Sequence, residues 1–270
     1  MDRSAREDSP AARPRAPLDD ARVIATATLV LGLAGALAAR AGALAPASLG
    51  IAALAWIVVA ALVLAGRRHH PHPRFGAANV VTTARAGLTV LLAAFAIEAG
   101  RADGVLAGPA ADAWTWIATG VAVFALVLDG IDGPLARADG TASAFGARYD
   151  MEVDALLALV LATLIWRTGE LGPWVLALGT MRYAYLAAAR LEPALRRPLP
   201  SSFRRKLVCV VQVAALCAIV SPVVAPPLSG TIGLAATLAL ALSFGVDVRW
   251  QLSAADAAPA TRGDARRDRG

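Results

Sequence analysis

Four aspartates near the middle of the chain have the types and spacing to bind a metal ion and to accept a proton. Asp129 and Asp132 are three residues apart, and Asp150 and Asp154 are four residues apart. Residues at these separations lie on one face of an α-helix, so each pair presents two carboxylates on the same side. If the two helices pack as antiparallel neighbours, the sequence predicts that all four carboxylates meet beside the short connection between them.

A cluster of four carboxylates requires a cation. When such groups are close together and partly desolvated, they repel each other and take up protons unless positive charge lies among them. Mg²⁺ prefers oxygen ligands, and it typically joins a few carboxylates to the phosphates of a substrate. We therefore predict that Asp129, Asp132, Asp150 and Asp154 bind Mg²⁺ or Mn²⁺ together with a phosphorylated substrate.

The elements that must position these aspartates are predicted to be membrane-spanning helices. The 270 residues are 57% hydrophobic and only 17% charged, whereas a soluble domain is about 25% charged. Several apolar runs approach the ~20 residues that cross a bilayer, and the short alternating segments of a β-barrel do not occur. We therefore expect an all-α integral membrane protein with eight spans. The spans are predicted near residues 22–39, 49–66, 80–99, 146–167, 173–190 and 204–220, with a fourth span ending at Asp129 and an eighth ending near residue 248.

The distribution of charge indicates how these spans are oriented. Of 26 basic residues, only Arg40, Arg101 and Arg167 lie in alternate short loops, so the positive-inside rule places both termini and the aspartates on the cytoplasmic side. The net charge of +6 follows from this arrangement and does not indicate nucleic-acid binding. Ionisable residues at membrane depth are costly and usually mark function, which favours a functional site over the alternative that the aspartates are loop charges reaching into water.

A basic, proline-broken linker at residues 67–74 divides the chain. We predict a disordered cytoplasmic tail at residues 1–20, a two-span extension with the linker at 21–74, a six-span catalytic domain at 75–250 and a polar cytoplasmic tail at 251–270. The three histidines of the chain, His69, His70 and His72, all lie in the linker. We interpret them as part of a solvated loop rather than as ligands of a transition metal. The role of the two N-terminal spans stays open.

The residues around the aspartates read D-x-x-D-G-x-x-A-R-x₈-G-x-x-x-D-x-x-x-D from Asp129 to Asp154. This pattern resembles the signature of the CDP-alcohol phosphatidyltransferase family, and every fixed position matches over a core that covers about residues 75–250. The resemblance implies that Asp129, Asp132 and Asp150 bind metal and the CDP diphosphate. It also implies a catalytic role for Asp150 and Asp154, the latter as a metal ligand or as the general base. The residues that would hold the nucleotide are Gly133, Ala136, Arg137 and Gly146.

The resemblance also implies a reaction. Such an enzyme moves a phosphatidyl group from a CDP-linked lipid, such as CDP-diacylglycerol, to an alcohol, and it releases CMP during phospholipid biosynthesis. We expect the enzyme in the inner or plasma membrane with a cytoplasmic active site, and the resemblance implies a homodimer. Glycerol phosphate, inositol phosphate, serine and a second lipid all stay open as acceptors.

Two further groups of polar residues are candidates for substrate contacts. Asn79, Thr82 and Arg85 form a stripe that resembles the N-x-x-T-x-x-R segment of the same family, in which Asn79 and Thr82 would line the nucleotide pocket. Positively charged side chains suit an anionic acceptor or a lipid phosphate. The candidates for that role are Arg85, Arg182, Arg190, Arg204 and Lys206. The alternative for both groups is anchoring at the membrane interface.

Two other classes of protein also place aspartates among membrane helices. A membrane prenyltransferase would bind a prenyl diphosphate through two separated Asp-rich motifs, and the sequence contains only one such cluster. A transporter often has inverted repeats and broken helices at mid-membrane, and neither is evident in the sequence. The sequence therefore favours the phosphatidyltransferase.

Overall fold

The computed structural model describes residues 19–72, 74–101 and 111–256, and within these residues the chain is all helical, without strands. The eight α-helices of these residues coincide in order with the eight predicted spans. They are α1 (Asp19–Arg40), α2 (Pro46–Gly66), α3 (Ala77–Glu98), α4 (Ala111–Ala138), α5 (Ala144–Arg167), α6 (Leu176–Leu191), α7 (Phe203–Val220) and α8 (Leu228–Asp256). The predicted tails at 1–20 and 251–270 lie largely outside the described residues.

Five of the helices in the described residues are long and apolar enough to cross a membrane. They are α1, α2, α3, α4 and α8. The other three helices are shorter or more charged: α6 has only 16 residues, α7 begins with three consecutive basic residues, and α5 contains both Asp150 and Asp154. The structure therefore supports a membrane protein, and the count of eight spans stays a prediction.

The centre of the bundle is the pair α3 and α5. Helix α3 packs against α1, α2, α4 and α5, while α5 also packs against α6 and α7. Small buried side chains, including Ala86 and Ala94 in α3 and Ala158 and Ala162 in α5, allow these helices to approach closely. Small residues serve this purpose between helices in lipid, where burial of apolar surface contributes little to association. The two central helices are also the ones that carry Arg85, Asp150 and Asp154.

The N-terminal helices α1 and α2 are attached to the side of α3. Glu98, buried at the end of α3, accepts hydrogen bonds from the Ser48 hydroxyl (2.7 Å) and the Ala45 N–H (3.1 Å). Burial of a carboxylate is costly unless it is hydrogen-bonded, and the end of the α1–α2 connection and the first turn of α2 supply these donors. The N-terminal pair is thus joined to the core at this end by a polar contact as well as by packing.

Two helices extend beyond their predicted ends. Helix α4 continues through the aspartates to Ala138, with Pro134 inside its last turns, so Asp129 and Asp132 lie within the helix. Helix α8 continues to Asp256 rather than ending near residue 248, because the Gln251 side chain is buried and donates to the Leu195 and Arg197 carbonyls. Residues 251–256 therefore belong to α8 and not to the predicted C-terminal tail.

Candidate active site

The carboxylates of all four aspartates meet around one guanidinium, that of Arg85. Its Nη2 lies 2.8 Å from Asp129 Oδ1 and also contacts Asp154 Oδ1. Its Nη1 lies 2.9 Å from Asp132 Oδ2 and 2.6 Å from Asp150 Oδ1. Helix α4 contributes one pair of aspartates, α5 the other pair, and α3 the arginine. The two faces predicted from the spacing therefore do converge.

Arg85 lies in the aspartate cluster, which differs from the predicted position at the acceptor or the lipid phosphate. The sequence predicts that it contacts the acceptor or the lipid phosphate, but its side chain is only 1% exposed and lies inside the aspartate cluster. The physical reason is that a buried guanidinium needs counter-charges on several of its donors, and the four carboxylates provide them. Arg85 is thus a structural partner of the predicted metal ligands.

The donor set fits a divalent cation. Single carboxylate oxygens of Asp129, Asp132 and Asp150 lie within 4.8 Å of one another, and Asp154 joins this group through Arg85. One guanidinium offsets only one of four negative charges when all the carboxylates are ionised. Oxygen donors with excess negative charge in a partly buried site suit Mg²⁺ or Mn²⁺.

A first cavity of about 210 Å³ lies beside the cluster, and Asp132 and Asp150 form part of its wall. All six residues predicted to hold the nucleotide line it, namely Asn79, Thr82, Gly133, Ala136, Arg137 and Gly146. Residues 141–143, in the connection between α4 and α5, also line the cavity, although the family pattern has no fixed position among them. We call this space the nucleotide cavity.

Close packing of α3 against the start of α5 shapes the nucleotide cavity. A Cβ atom on Gly146 would lie 3.0 Å from Asn79 Oδ1, so a larger residue would crowd the Asn79 amide. Ser143 caps α5 by accepting a hydrogen bond from the Gly146 N–H at 3.0 Å. A serine at an N-cap satisfies an otherwise unpaired helix donor, and a serine three residues before Gly146 is a signal that could have revealed this position.

A second cavity, of about 400 Å³, is lined mainly by apolar side chains of α5, α6, α7 and α8. Asp154 forms part of its wall, whereas Asp132 and Asp150 line the nucleotide cavity. The carboxylate cluster therefore separates the two spaces. We call the second space the acceptor cavity. A group held in either cavity would have a carboxylate beside it.

The predicted acceptor residues divide into two sets. Arg182 and Lys206 line the acceptor cavity, and so does Arg205, which lies beside Lys206 in the first turn of α7. Arg182 also pairs with Glu152 Oε1 at 2.5 Å. Among the described residues Lys206 forms no ion pair, although its side chain lines the cavity.

Arg190 and Arg204 line neither cavity. Arg190 is exposed near the end of α6. Arg204 binds Asp247 and donates to the Ser243 carbonyl at 2.6 Å, so its guanidinium joins α7 to α8. The sequence could not indicate this pairing because Asp247 lies on a helix more than forty residues away.

Comparisons with known proteins support one family. The sequence model of the family described as CDP-alcohol phosphatidyltransferase matches residues 75–245 of the chain. The match includes the four aspartates, Arg85 and the whole lining of the nucleotide cavity. A comparison with curated proteins found no significant match, and a comparison with solved structures found none either.

Proposed function

Because this chain belongs to the CDP-alcohol phosphatidyltransferase family, we propose that it transfers a phosphatidyl group from a CDP-linked lipid, such as CDP-diacylglycerol, to an alcohol. The products would be a phospholipid and CMP. The observation that carries the proposal is the convergence of four aspartates between two cavities, one of which is lined by all the residues expected to hold the nucleotide.

A divalent ion fits this proposal. Asp129, Asp132 and Asp150 would hold Mg²⁺ or Mn²⁺, with Asp154 beside them. When bound, the ion would polarise the phosphoryl oxygens and offset the negative charge that develops on the departing nucleotide. Arg137, which lines the nucleotide cavity, would add a charge-assisted hydrogen bond to a phosphate of the nucleotide.

Asp154 is the best candidate for the general base, because it is the aspartate that lines the acceptor cavity. Its carboxylate would take the proton of the acceptor hydroxyl. The acceptor oxygen would form a bond to the phosphorus that carries the lipid, and the bond between that phosphorus and the CMP oxygen would break. Two cavities that meet at the cluster would hold both reactants in reach of each other, which lowers the entropic part of the barrier.

The membrane setting is part of the proposal. The distribution of arginines favours an active site and both termini at the cytoplasmic face of the inner or plasma membrane, with the lipid donor entering between helices. Helices α1 and α2 carry exposed apolar residues such as Leu29, Leu33 and Leu54, in agreement with contact to lipid. The homodimer stays a prediction.

The experiment that tests the proposal is an acceptor panel. The purified protein is incubated with CDP-diacylglycerol and Mg²⁺, and each acceptor is added separately: glycerol phosphate, inositol phosphate, serine or a phospholipid. We expect CMP release with one of these acceptors. We also expect its loss when EDTA removes the divalent ions, and its return with Mg²⁺ or Mn²⁺. CMP release that is unaffected by EDTA would contradict the metal assignment.

Lys206 provides a prediction about the acceptor. If the acceptor is anionic, replacement of Lys206 by Gln should raise its KM about 10- to 100-fold, the scale of one charge-assisted hydrogen bond of roughly 1.5–3 kcal/mol. The KM for the CDP-linked lipid should change little, because Lys206 lines only the acceptor cavity. Initial-rate kinetics against each substrate measure both values.

The matched control is Arg190→Gln, which removes an exposed positive charge that lines neither cavity. Lys206→Arg should retain most of the acceptor affinity because it keeps the charge. Equal increases in the two KM values of Lys206→Gln would instead indicate that Lys206 does not select the acceptor.

A further inference from the structure

The linker between α2 and α3 packs against the connection between α4 and α5, so it is not solvated throughout. His70 is only 7% exposed, although it lies in the basic, proline-broken segment that the sequence predicts to be a solvated loop. The family match begins at residue 75, so this segment belongs to the N-terminal extension and not to the matched core. Its contacts therefore bear on what the extension does.

His70 uses both of its ring nitrogens. Nε2 lies 3.1 Å from the Arg74 carbonyl, and a carbonyl can only accept, so this nitrogen carries the proton. In the neutral ring Nδ1 is then an acceptor, and it receives a hydrogen bond from the Ser143 hydroxyl at 2.8 Å. The Ser143 oxygen in turn accepts from the Gly146 N–H. A continuous chain of hydrogen bonds thus runs from the linker to the first turn of α5.

Burial favours the neutral form of His70 that this chain of hydrogen bonds requires. Desolvation lowers the pKa of His70, and electrostatic repulsion by Arg67 and by the protonated form of His72 acts in the same direction. The backbone hydrogen bond to Arg74 and the carboxylate of Asp20 oppose this effect without reversing it. His70 is therefore uncharged at neutral pH, with Nδ1 available to Ser143.

Packing reinforces the same contact. The Phe145 ring lies against His70, with ring centroids 5.5 Å apart, and it stacks on Tyr149 one turn further along α5. A Cβ on Gly66 would lie 2.8 Å from the Phe145 ring, so the end of α2 also approaches this ring closely. His72 Nε2 lies 3.1 Å from the Ala142 carbonyl. The extension therefore contacts the connection at several points.

The start of the matched core, directly after the linker, meets the same connection. Gly76 has a φ of +82°, and a Cβ there would lie 2.6 Å from Thr141 Oγ1. A residue other than glycine would be strained in this conformation and would collide with Thr141. Residues 141–143 line the nucleotide cavity, and Asp150 lies one turn after Gly146.

We propose that the N-terminal extension positions the nucleotide cavity, and that His70 is the positioning residue, acting on residues 141–146 through Ser143. This inference rests on the proposed function for its consequence in catalysis. The contact itself does not depend on that function. The extension therefore helps to hold two parts of the site in place. One is the wall of the nucleotide cavity at residues 141–143, and the other is the start of α5, the helix that carries Asp150 and Asp154.

The first test measures position directly. Hydrogen exchange of the amides of residues 141–147 is compared in the full-length wild-type protein, in His70→Ala and in His69→Ala. His69 is exposed and adjacent, so it is the matched control. We expect about tenfold faster exchange in His70→Ala, the scale of one lost hydrogen bond to a buried partner, and no change in His69→Ala. Unchanged exchange in His70→Ala would overturn the proposal.

The second test measures the consequence for the substrate. His70→Ala should raise the KM for CDP-diacylglycerol and weaken CMP binding about five- to tenfold, with the acceptor KM unchanged, since a single hydrogen bond supports the wall of only one cavity. His70→Asn, which keeps an acceptor near the position of Nδ1, should restore part of the loss. The double variant His70→Ala/Ser143→Ala should have a KM for CDP-diacylglycerol no higher than that of the more affected single variant.

The outcomes separate the two proposals. If the amides of residues 141–147 exchange faster in His70→Ala but the protein never releases CMP, the positioning role stands and the proposed phosphatidyltransferase activity is contradicted. If His70→Ala releases CMP normally and binds CMP with full affinity, and only its melting temperature is lower, then His70 only stabilises the fold. Additive losses in the double variant would show that His70 does not act through Ser143.

Discussion

Asp154→Asn should reduce the rate of CMP release from CDP-diacylglycerol by about 10²–10⁴-fold, the usual contribution of a positioned general base. Asparagine has nearly the same shape as aspartate, but it cannot take a proton from the acceptor hydroxyl. The variant should still insert into the membrane and bind the nucleotide, because Asp154 lines the acceptor cavity and not the nucleotide cavity. Single-turnover assays of CMP release, with CMP binding measured in parallel, separate these effects.

Replacement of Asp150 should affect metal binding more than replacement of Asp154. Asp150→Asn should also abolish turnover, but it should in addition weaken Mn²⁺ binding, since Asp150 belongs to the group of three carboxylates within 4.8 Å. Asp139→Asn is the matched control, because this exposed aspartate lies just after α4 and outside the motif. Full activity in both Asp154→Asn and Asp150→Asn would contradict the assignment of the site.

Arg85→Gln should destabilise the metal-free protein more than the metal-bound protein. Removal of one partner from a buried ion pair costs about 3–5 kcal/mol, and Arg85 is 1% exposed with four carboxylates around it. In a protein of this size that cost corresponds to a decrease in melting temperature on the order of 10 °C. A divalent cation supplies the missing positive charge, so Mg²⁺ should recover much of the loss.

Melting curves in detergent, recorded with EDTA and then with Mg²⁺, check this expectation. Arg85→Lys is the conservative comparison, since it keeps the charge but cannot reach four carboxylates with a planar fork. Arg85→Gln/Asp132→Asn should melt at a higher temperature in EDTA than Arg85→Gln alone, because it removes one of the unpaired buried charges. A melting temperature of Arg85→Gln that equals the wild type in EDTA would show that Arg85 does not hold the cluster together.

The chemistry of the site could be predicted from the sequence because it depends on local features. The spacing of Asp129, Asp132, Asp150 and Asp154 determines which carboxylates share a helix face, whatever the rest of the chain does. The fixed positions between them indicated the family, and the match over residues 75–245 confirms it. The six residues expected at the nucleotide all line one cavity, because four lie within the motif on α4 and α5 and the other two lie on α3, which packs against both helices.

The positively charged residues were less predictable. Arg190, Arg204 and Lys206 lie at the cytoplasmic ends of predicted spans, whereas Arg182 lies about two turns inside one. The sequence alone does not distinguish those that reach a substrate from those that anchor the helices. Which of them reaches the acceptor cavity depends on the rotation of α6 and α7 and on the partners that α8 supplies. Asp247 on α8 engages Arg204, and no local pattern reveals a pairing over such a separation.

The sequence by itself determined the helical class and which aspartates share a helix face, because helix periodicity acts over a few residues. The resemblance to the family indicated six of the residues that line the nucleotide cavity. Only the tertiary structure decided that Arg85 lies among four carboxylates that are 44 to 69 residues away in sequence. It also decided that Asp154 faces a different cavity from Asp150 and that His70 reaches Ser143. These features depend on how distant helices pack and rotate against one another, and that packing is a property of the whole bundle.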